Sequence, residues 1–251
     1  MKLSIITICK NDLSGLRKTV ESVKVQSSKD FEFIVIDGAS SDGTVDYLNE
    51  NILSITKFVS EKDSGIYNAM NKGITLSSGE FCLFLNAGDY LADKNVLERV
   101  FSINHPEDLL YGNMLIETFD GQRKLGKMPK KITFLHMMED TIWHPVSFIR
   151  RSLFERFGNY NENYKMVADY EFFLKIILVH KVKTFNLNFP ISVFNLNGFS
   201  SKKENRELLT SERTIAQQQF FTSSEIENAK IKIEKNKKFI FRLIKKFTNW
   251  V

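Results

Sequence analysis

The chain has 251 residues, 43% of them apolar and 26% charged, with 35 Lys or Arg against 30 Asp or Glu for a net charge of +5. That length carries one large α/β domain with a full core, and the balance of apolar and charged residues excludes a disordered or fibrous chain. The only two cysteines, Cys9 and Cys82, exclude a disulfide framework or a zinc cluster, and no apolar run approaches the roughly 18 residues that span a bilayer.

The opening MKLSIITICKND has one Lys before a short apolar stretch and no small-residue cleavage site. It reads as a first strand and not a secretory leader, so a cytoplasmic location is expected. Ser14 to Val25 places Leu16, Val20 and Val23 at helical spacing, FEFIVID is a second strand, Thr44 to Asn51 a short helix and Thr56 to Ser60 a third strand. Such alternation predicts a parallel sheet. Gly65 to Leu76 follows as a helix with Ile66, Ala69, Met70 and Ile74 toward the core, and Phe81 opens a strand apolar enough to be buried on both faces. Both cysteines fall in or at the end of predicted buried strands and read as core residues.

Beyond Asp89 the pattern gives a helix around Asn95 to Phe101, a strand at Leu109 to Asn113 and a hairpin turning at Asp120-Gly121. His144 to Ile149 reads as a strand end, Val167 to His180 as an amphipathic helix, and Lys183 to Leu196 as one or two strands around Pro190. From Lys203 onward the chain is helical and increasingly charged. Between Lys230 and Val251 there are eight Lys or Arg and one acid, Glu234.

Four clusters of polar residues sit at predicted strand ends or helix starts, where open α/β sheets bind ligands. Asp37 ends a buried strand, ahead of a Gly-Ala-Ser-Ser-Asp turn that plain loop chemistry would also explain. In SEKDSGIYNAMNKG, Asp63 precedes a helix whose polar face carries Asn68, Asn71 and Lys72, a place suited to an anion. Asn86, Ala87, Gly88 and Asp89 close the Phe81 strand, Asp89 being a candidate metal or diphosphate contact. Asp169 opens the Val167 helix, where a carboxylate facing the macrodipole is the bland explanation. His144, beside Trp143 and Pro145, reads on its own as a structural hydrogen bonder.

Taken together, the order and spacing of these clusters resemble the family-2 glycosyltransferases, which have the GT-A fold. The resemblance runs from Leu3 to about Leu196 and rests on LSIITICKND, VIDGASSDGT, GIYNAMNKGI, SSGEFCLFLNAGD, HPVSFIRRSLFERFGNYNE and VADYEFFLK. SEKDSGIYNAMNKG with LNAGD is particularly similar to the subgroup making bacterial exopolysaccharide, colanic-acid-type, capsular and O-antigen sugars. Each acidic motif is thinner than in the family: Gly38 follows Asp37, Asn86 and Gly88 leave Asp89 as the one acid of an Asp-X-Asp site, and Ala168 precedes Asp169.

The resemblance implies a single Rossmann-like nucleotide-binding domain, residues 1–222, with a central, mostly parallel mixed sheet flanked by helices. A basic amphipathic helical tail, residues 223–251, follows it. It implies an inverting hexosyl- or N-acetylhexosaminyl-transferase that takes sugar from a nucleotide-diphosphate donor, with UDP expected, to a saccharide or polyprenyl-linked acceptor. Asp169 is then the general base, Asp89 the ligand of Mn²⁺ or Mg²⁺, and Thr7, Asp37, Asp63, Asn71, Lys72, Asn86, Ala87 and Gly88 the nucleotide contacts. His144, Arg150 and Arg151 are candidates for the diphosphate or the acceptor. The tail, with Ile231, Ile240, Leu243, Ile244, Phe247 and Trp250 among its basic residues, reads as an anchor on the inner membrane surface, or as a helix packed on its own domain or on a second subunit of a homodimer. It lacks nucleic-acid motifs, and no nucleic-acid partner is expected. Two rivals are a sugar nucleotidyltransferase, against which the single glycine of CKNDLSGLRK speaks, and a non-catalytic nucleotide- or glycan-binding module.

Overall fold

The computed structural model describes residues 1–118, 120–195 and 203–248. Its sheet grows from three neighbouring strands that are mostly apolar and almost wholly buried. These are β1 (Leu3–Cys9), β2 (Phe31–Asp37) and β4 (Phe81–Phe84), and β3 (Lys57–Ser60) closes the edge beside β2. All pair in parallel. Their Val-, Ile-, Leu- and Phe-rich runs follow from burial on both faces, which leaves no polar side for alternation to mark.

Helices cover both faces. On one lie α1 (Leu13–Lys24), α2 (Thr44–Glu50) and α4 (Val96–Phe101), whose Leu16, Val20, Leu48 and Val96 pack with Leu3, Ile5 and Leu83. Asp12 caps α1 by accepting from the Gly15 N–H at 2.9 Å. The other face holds α3 (Ile66–Leu76), α5 (Phe134–Glu139), α6 (Ser152–Phe157), α7 (Ala168–Phe173) and α8 (Arg206–Phe220), around Phe84, Phe154, Tyr160 and Phe172. Each such fully buried aromatic or aliphatic side chain contributes about 1.5–3 kcal/mol. Cys9 and Cys82 are buried and free, and burial pushes each thiol up to about 12, as inert core residues require.

The remaining strands are β5 (Tyr90–Leu91), β6 (Leu109–Glu117), β7 (Arg123–Gly126), β8 (Ser147–Arg150) and β9 (Thr184–Asn195). The order across the sheet is β3-β2-β1-β4-β8-β6-β9-β5, with β7 hairpinned onto β6. β8 runs antiparallel to both β4 and β6. This reversal governs the site: Phe81 pairs with Arg150, so the residues entering β8 lie beside the carboxyl end of β4.

Two expectations change in detail: the Val167 helix becomes π-helical from Leu174 to Val179, and β5 was not expected at all. The segment expected as one or two strands around Pro190 is the single strand β9, broken in register around Asn188 and Pro190. The Asp120-Gly121 hairpin is present, with Gly121 at φ +76°. Leu196, where the last strand was expected to finish, lies outside the described residues. The helix α9 (Ser223–Thr248) covers most of the expected tail, and its Ile226, Ala229 and Ile233 are buried in the core shared by α5 and α8. Lys237 of α9 pairs with Glu139 of α5 at 3.0 Å. Trp250 lies outside the described residues.

Candidate active site

The carboxyl ends of β1, β2 and β4 converge. The loops after β1 and β2 are stitched together: the Asn11 N–H donates to Ser40 Oγ at 2.7 Å, the Ser41 N–H to Asn11 Oδ1 at 2.8 Å and the Leu13 N–H to Asp42 Oδ2 at 2.9 Å. Asp37 is fully buried, and its carboxylate accepts from the Ser40 hydroxyl and N–H and, at 2.6 Å, from the Ser60 hydroxyl of β3. Gly38 follows Asp37, and a Cβ there would stand 2.9 Å from Asp63 Oδ2. Asp63 thus brings a carboxylate into the space a side chain at 38 would fill. Lys72 of α3 reaches Asp63 and Glu61, each at 2.7 Å, and these two acids push its pKa up.

Beyond β4 the chain turns sharply over Asn86–Asp89, with Gly88 at φ +94°, a left-handed backbone that favours glycine. Thr19 of α1 clasps the turn, accepting from the Gly88 N–H at 3.1 Å and donating to the Asp89 carbonyl at 2.7 Å, while the Ala87 N–H donates to the Ile8 carbonyl at 3.0 Å. Asp89 is 5% exposed, and Oδ1 accepts the Asn195 N–H at 3.2 Å. Burial pushes its pKa up to about 7, against the pull of His144 and that N–H.

His144 stands beside this turn because β8 is antiparallel to β4. Its Nδ1 lies 3.1 Å from Asp169 Oδ2, and its Nε2 lies 3.3 Å from Asn86 Nδ2. Asp169 Oδ1 accepts from the Tyr67 hydroxyl and from the Tyr170 N–H, each at 2.9 Å. Burial would raise the Asp169 pKa, but His144, Tyr67 and the Tyr170 N–H together hold it below the ordinary carboxylate value. Tyr67, Asp169, His144 and Asn86 therefore form one hydrogen-bonded line across α3, α7, the entry to β8 and the end of β4. At its end Asn86 Oδ1 is buried without a hydrogen-bond partner.

Several expected contacts are engaged elsewhere. The buried Thr7 hydroxyl donates to the Leu85 carbonyl at 2.6 Å, fixing β1 to the end of β4. Asn71 ties α3 to the Tyr160 backbone and to Glu162, at 2.8 to 3.1 Å. Arg150 and Arg151 are at the opposite end of the sheet. The first pairs with Asp108 at 2.9 Å and with Glu80, the second with Glu155 and the Gly79 carbonyl. The antiparallel course of β8 separates them from His144. Tyr67 was not singled out from the sequence. Its signal was a polar-tipped aromatic in the buried stripe it shares with Met70 and Ile74.

A mixed α/β sheet with helices on both faces, and a crevice beyond its parallel strands, is the arrangement of a nucleotide-binding α/β domain such as the GT-A fold. A family model, glycosyl transferase family 2, matches residues 4–163, and the chain belongs to that family. An uncharacterized glycosyltransferase of Mycobacterium tuberculosis is 32% identical over 206 residues, 80% of this chain and 78% of that one. A PGL/p-HBAD biosynthesis glycosyltransferase of Mycobacterium bovis is 29% identical over 217 residues, 82% of each chain. Among solved structures, Staphylococcus aureus TarS in complex with UDP superposes with a TM-score of 0.69 at 18% identity, covering 91% of this chain and 69% of that one. The mannosyltransferase PcManGT of Pyrobaculum calidifontis, in complex with GDP-Man and Mn²⁺, gives 0.59 at 16% identity over 77% and 56% of the two chains.

Proposed function

We infer that this glycosyltransferase moves a sugar, with inversion, from a nucleoside-diphosphate donor to a hydroxyl of a saccharide or lipid-linked saccharide in the assembly of a bacterial surface glycan. The observation that carries the reading is the line Tyr67–Asp169–His144–Asn86, ending on the turn that bears Asp89. Displacement at the anomeric carbon needs negative charge to draw the proton from the incoming hydroxyl and positive charge on the departing diphosphate. Asp169 supplies the first. Asp63, Lys72 and the loop held by Asp37 form the nucleoside end of the crevice. Uridine is the favoured base: TarS was solved with UDP and with UDP-GlcNAc. The glycolipid setting draws support from the PGL/p-HBAD relative.

Among the described residues no group of three or more His, Cys, Asp or Glu is placed to hold a metal ion. A hard cation takes six or more oxygens, so one acid fits Mn²⁺ or Mg²⁺ only together with donor phosphate oxygens and water, with Asp89 as the protein ligand. Bound there, the cation supplies Lewis-acid charge to the leaving diphosphate. Asp89's raised pKa agrees with a carboxylate short of compensating charge.

No helix among the described residues is long and apolar enough to cross a membrane. The exposed side of α9 carries Lys230, Lys232, Lys235 and Lys238 with exposed Ile231 and Phe239, which suits an anionic membrane surface and a lipid-linked acceptor. Co-sedimentation with anionic vesicles, lost when residues 234–251 are removed, is the expected outcome. The transfer reading is tested by thermal shift against uridine, guanosine and thymidine diphosphates and their sugars, with and without Mn²⁺, followed by nucleotide release. One base series should stabilise the protein more with Mn²⁺, and its sugar donor should be turned over. No shift and no release across the panel would sink the reading.

A further inference from the structure

Between Gly158, which ends α6, and Val167, which precedes α7, the chain has no regular secondary structure, so its backbone N–H groups need partners outside a ladder. The Tyr160 N–H donates to Asn71 Oδ1 of α3 at 3.1 Å, and the Tyr164 N–H to the Asn161 carbonyl at 3.2 Å. The Lys165 and Met166 N–H groups, which follow, share one side chain. Glu212 of α8 accepts the first on Oε1 at 2.8 Å and the second on Oε2 at 2.9 Å. One carboxylate thereby fixes two consecutive peptide planes just ahead of Asp169. Burying it, here to 7% exposure, is costly unless its oxygens accept strong hydrogen bonds. A neutral amide in its place, with a single acceptor oxygen, could not give each N–H an oxygen of its own.

The stripe that α8 turns inward is Glu212, Ala216 and Gln217, and the small Ala216 sits in the core with Phe172 of α7. Gln217 Nε2 donates to the Tyr170 hydroxyl at 2.8 Å, and that hydroxyl donates to the Met137 carbonyl at 2.7 Å. Arg213 lies over the Tyr170 ring, 4.1 Å from its centroid. α8 therefore holds the backbone before Asp169 and the side chain after it. We propose that Glu212 is a positioning residue for Asp169: by fastening residues 165 and 166 it sets where α7 begins, and hence where the Asp169 carboxylate stands between Tyr67 and His144. This rests on the proposed function, in which Asp169 draws the proton from the acceptor. The clasp supplies geometry alone. Misplacing a reacting group by about 1 Å costs up to about 10²-fold in rate, while the donor contacts on the loops after β1, β2 and β4 are untouched.

The test compares Glu212→Gln, Glu212→Ala, Asp169→Asn and the double variant Glu212→Ala/Asp169→Asn, using the uridine-, guanosine- or thymidine-diphosphate sugar that wild type turns over. Glu212→Ala should lower kcat by about 10–10²-fold, and Glu212→Gln, which keeps the volume and one acceptor, by about three- to tenfold. In both, Kd for the matching nucleoside diphosphate with Mn²⁺ should stay within about threefold of wild type. Added to Asp169→Asn, Glu212→Ala should cost less than about threefold more, because the group it positions is already lost. Independently of turnover, exchange of the Lys165 and Met166 amide hydrogens should quicken in Glu212→Ala, or in Glu212→Gln if the alanine variant does not fold, with the amides of β1 and β4 unchanged. A kcat within about twofold of wild type in either folded variant, or the full further loss in the double variant, overturns the assignment and leaves the proposed function intact. A wild-type chain that releases nucleotide from no donor overturns both.

Discussion

At the amino ends of the parallel strands Glu32 is 1% exposed, yet its Oε1 accepts from the Ser4 hydroxyl at 2.7 Å, the Ser78 N–H at 2.5 Å, the Ser78 hydroxyl at 3.0 Å and the Gly79 N–H at 3.2 Å, and Oε2 meets Lys57 at 3.1 Å. At the carboxyl ends Asp89 is buried almost as deeply beside one backbone donor. Burial raises both pKa values, but the donors around Glu32 outweigh it and the net shift is down, whereas Asp89 is left at about 7. A buried acid surrounded by donors is a fastening. One short of them holds back interactions that an incoming group can supply.

The largest effect on this contrast comes from Asp169, at the carboxyl end. Asp169→Asn should cut transfer by about 10²–10⁴-fold while nucleotide binding persists, since the donor site loses no contact. Near-normal transfer in that variant would remove the acid from the chemistry. At the amino end Glu32→Ala should do the reverse. It strands the donors of Ser4, Ser78, Gly79 and Lys57, at a cost on the order of 3 kcal/mol in chemical unfolding, with nucleotide affinity unchanged in the folded fraction. The pH sign follows from the lowered pKa: the Glu32 contribution is present above its unfolded value of 4.5 and is lost as pH falls through the folded one. Wild type should therefore lose stability toward acid faster than Glu32→Ala, and parallel acid curves would break the contrast.

Asp89 gives a smaller effect with the opposite sign. Its pKa is raised, so the unfolded chain ionises near 3.8 while the folded one keeps its proton to about 7. Stability attributable to this group falls as pH rises between those values and stays low above them. Asp89→Asn, measured without metal, should raise Tm more at pH 8 than at pH 5, and should abolish the Mn²⁺ dependence of nucleotide binding. An equal gain at both pH values would mean that other groups compensate the carboxylate.

The carboxyl-end half of this contrast is legible in the residues, whereas Glu32 was not singled out, because an acid inside FEFIVID gives no sign of the Ser4, Ser78, Gly79 and Lys57 donors that surround it. The parallel strands are readable because burial on both faces leaves unbroken apolar runs, and the Asn86–Asp89 turn because glycine, asparagine and aspartate together mark a strand's end. The direction of β8 is not written in SFIR, so the residues before and after it looked like neighbours of one site, and only the antiparallel pairing of Phe81 with Arg150 parts them. Tyr67 was hidden in an apolar stripe, since its hydroxyl matters only once α7 is packed against α3. The two-residue β5 has no periodicity to detect, and it is what carries the Tyr90–Val193 pairing near Asp89. The π-helical turn from Leu174 to Val179 continues the apolar pattern of α7, so nothing in that pattern marks where the backbone widens.

The smallest expected effect is the sharpest check on the division between the two ends. Arg151 resembles a diphosphate ligand by type and by nearness in sequence to His144, but its guanidinium pairs with Glu155 one helical turn away and with the Gly79 carbonyl. Such a partly exposed pair is worth at most about 1 kcal/mol and is screened by salt over roughly 10 Å. Arg151→Ala should therefore lower stability by less than about 1 kcal/mol and leave nucleotide-diphosphate affinity within twofold of wild type at physiological ionic strength. A tenfold loss of affinity would mean that charge at the amino end reaches the donor, which the opposite positions of Gly79 and Asn86 along one strand argue against. The division would then have to be redrawn around the diphosphate.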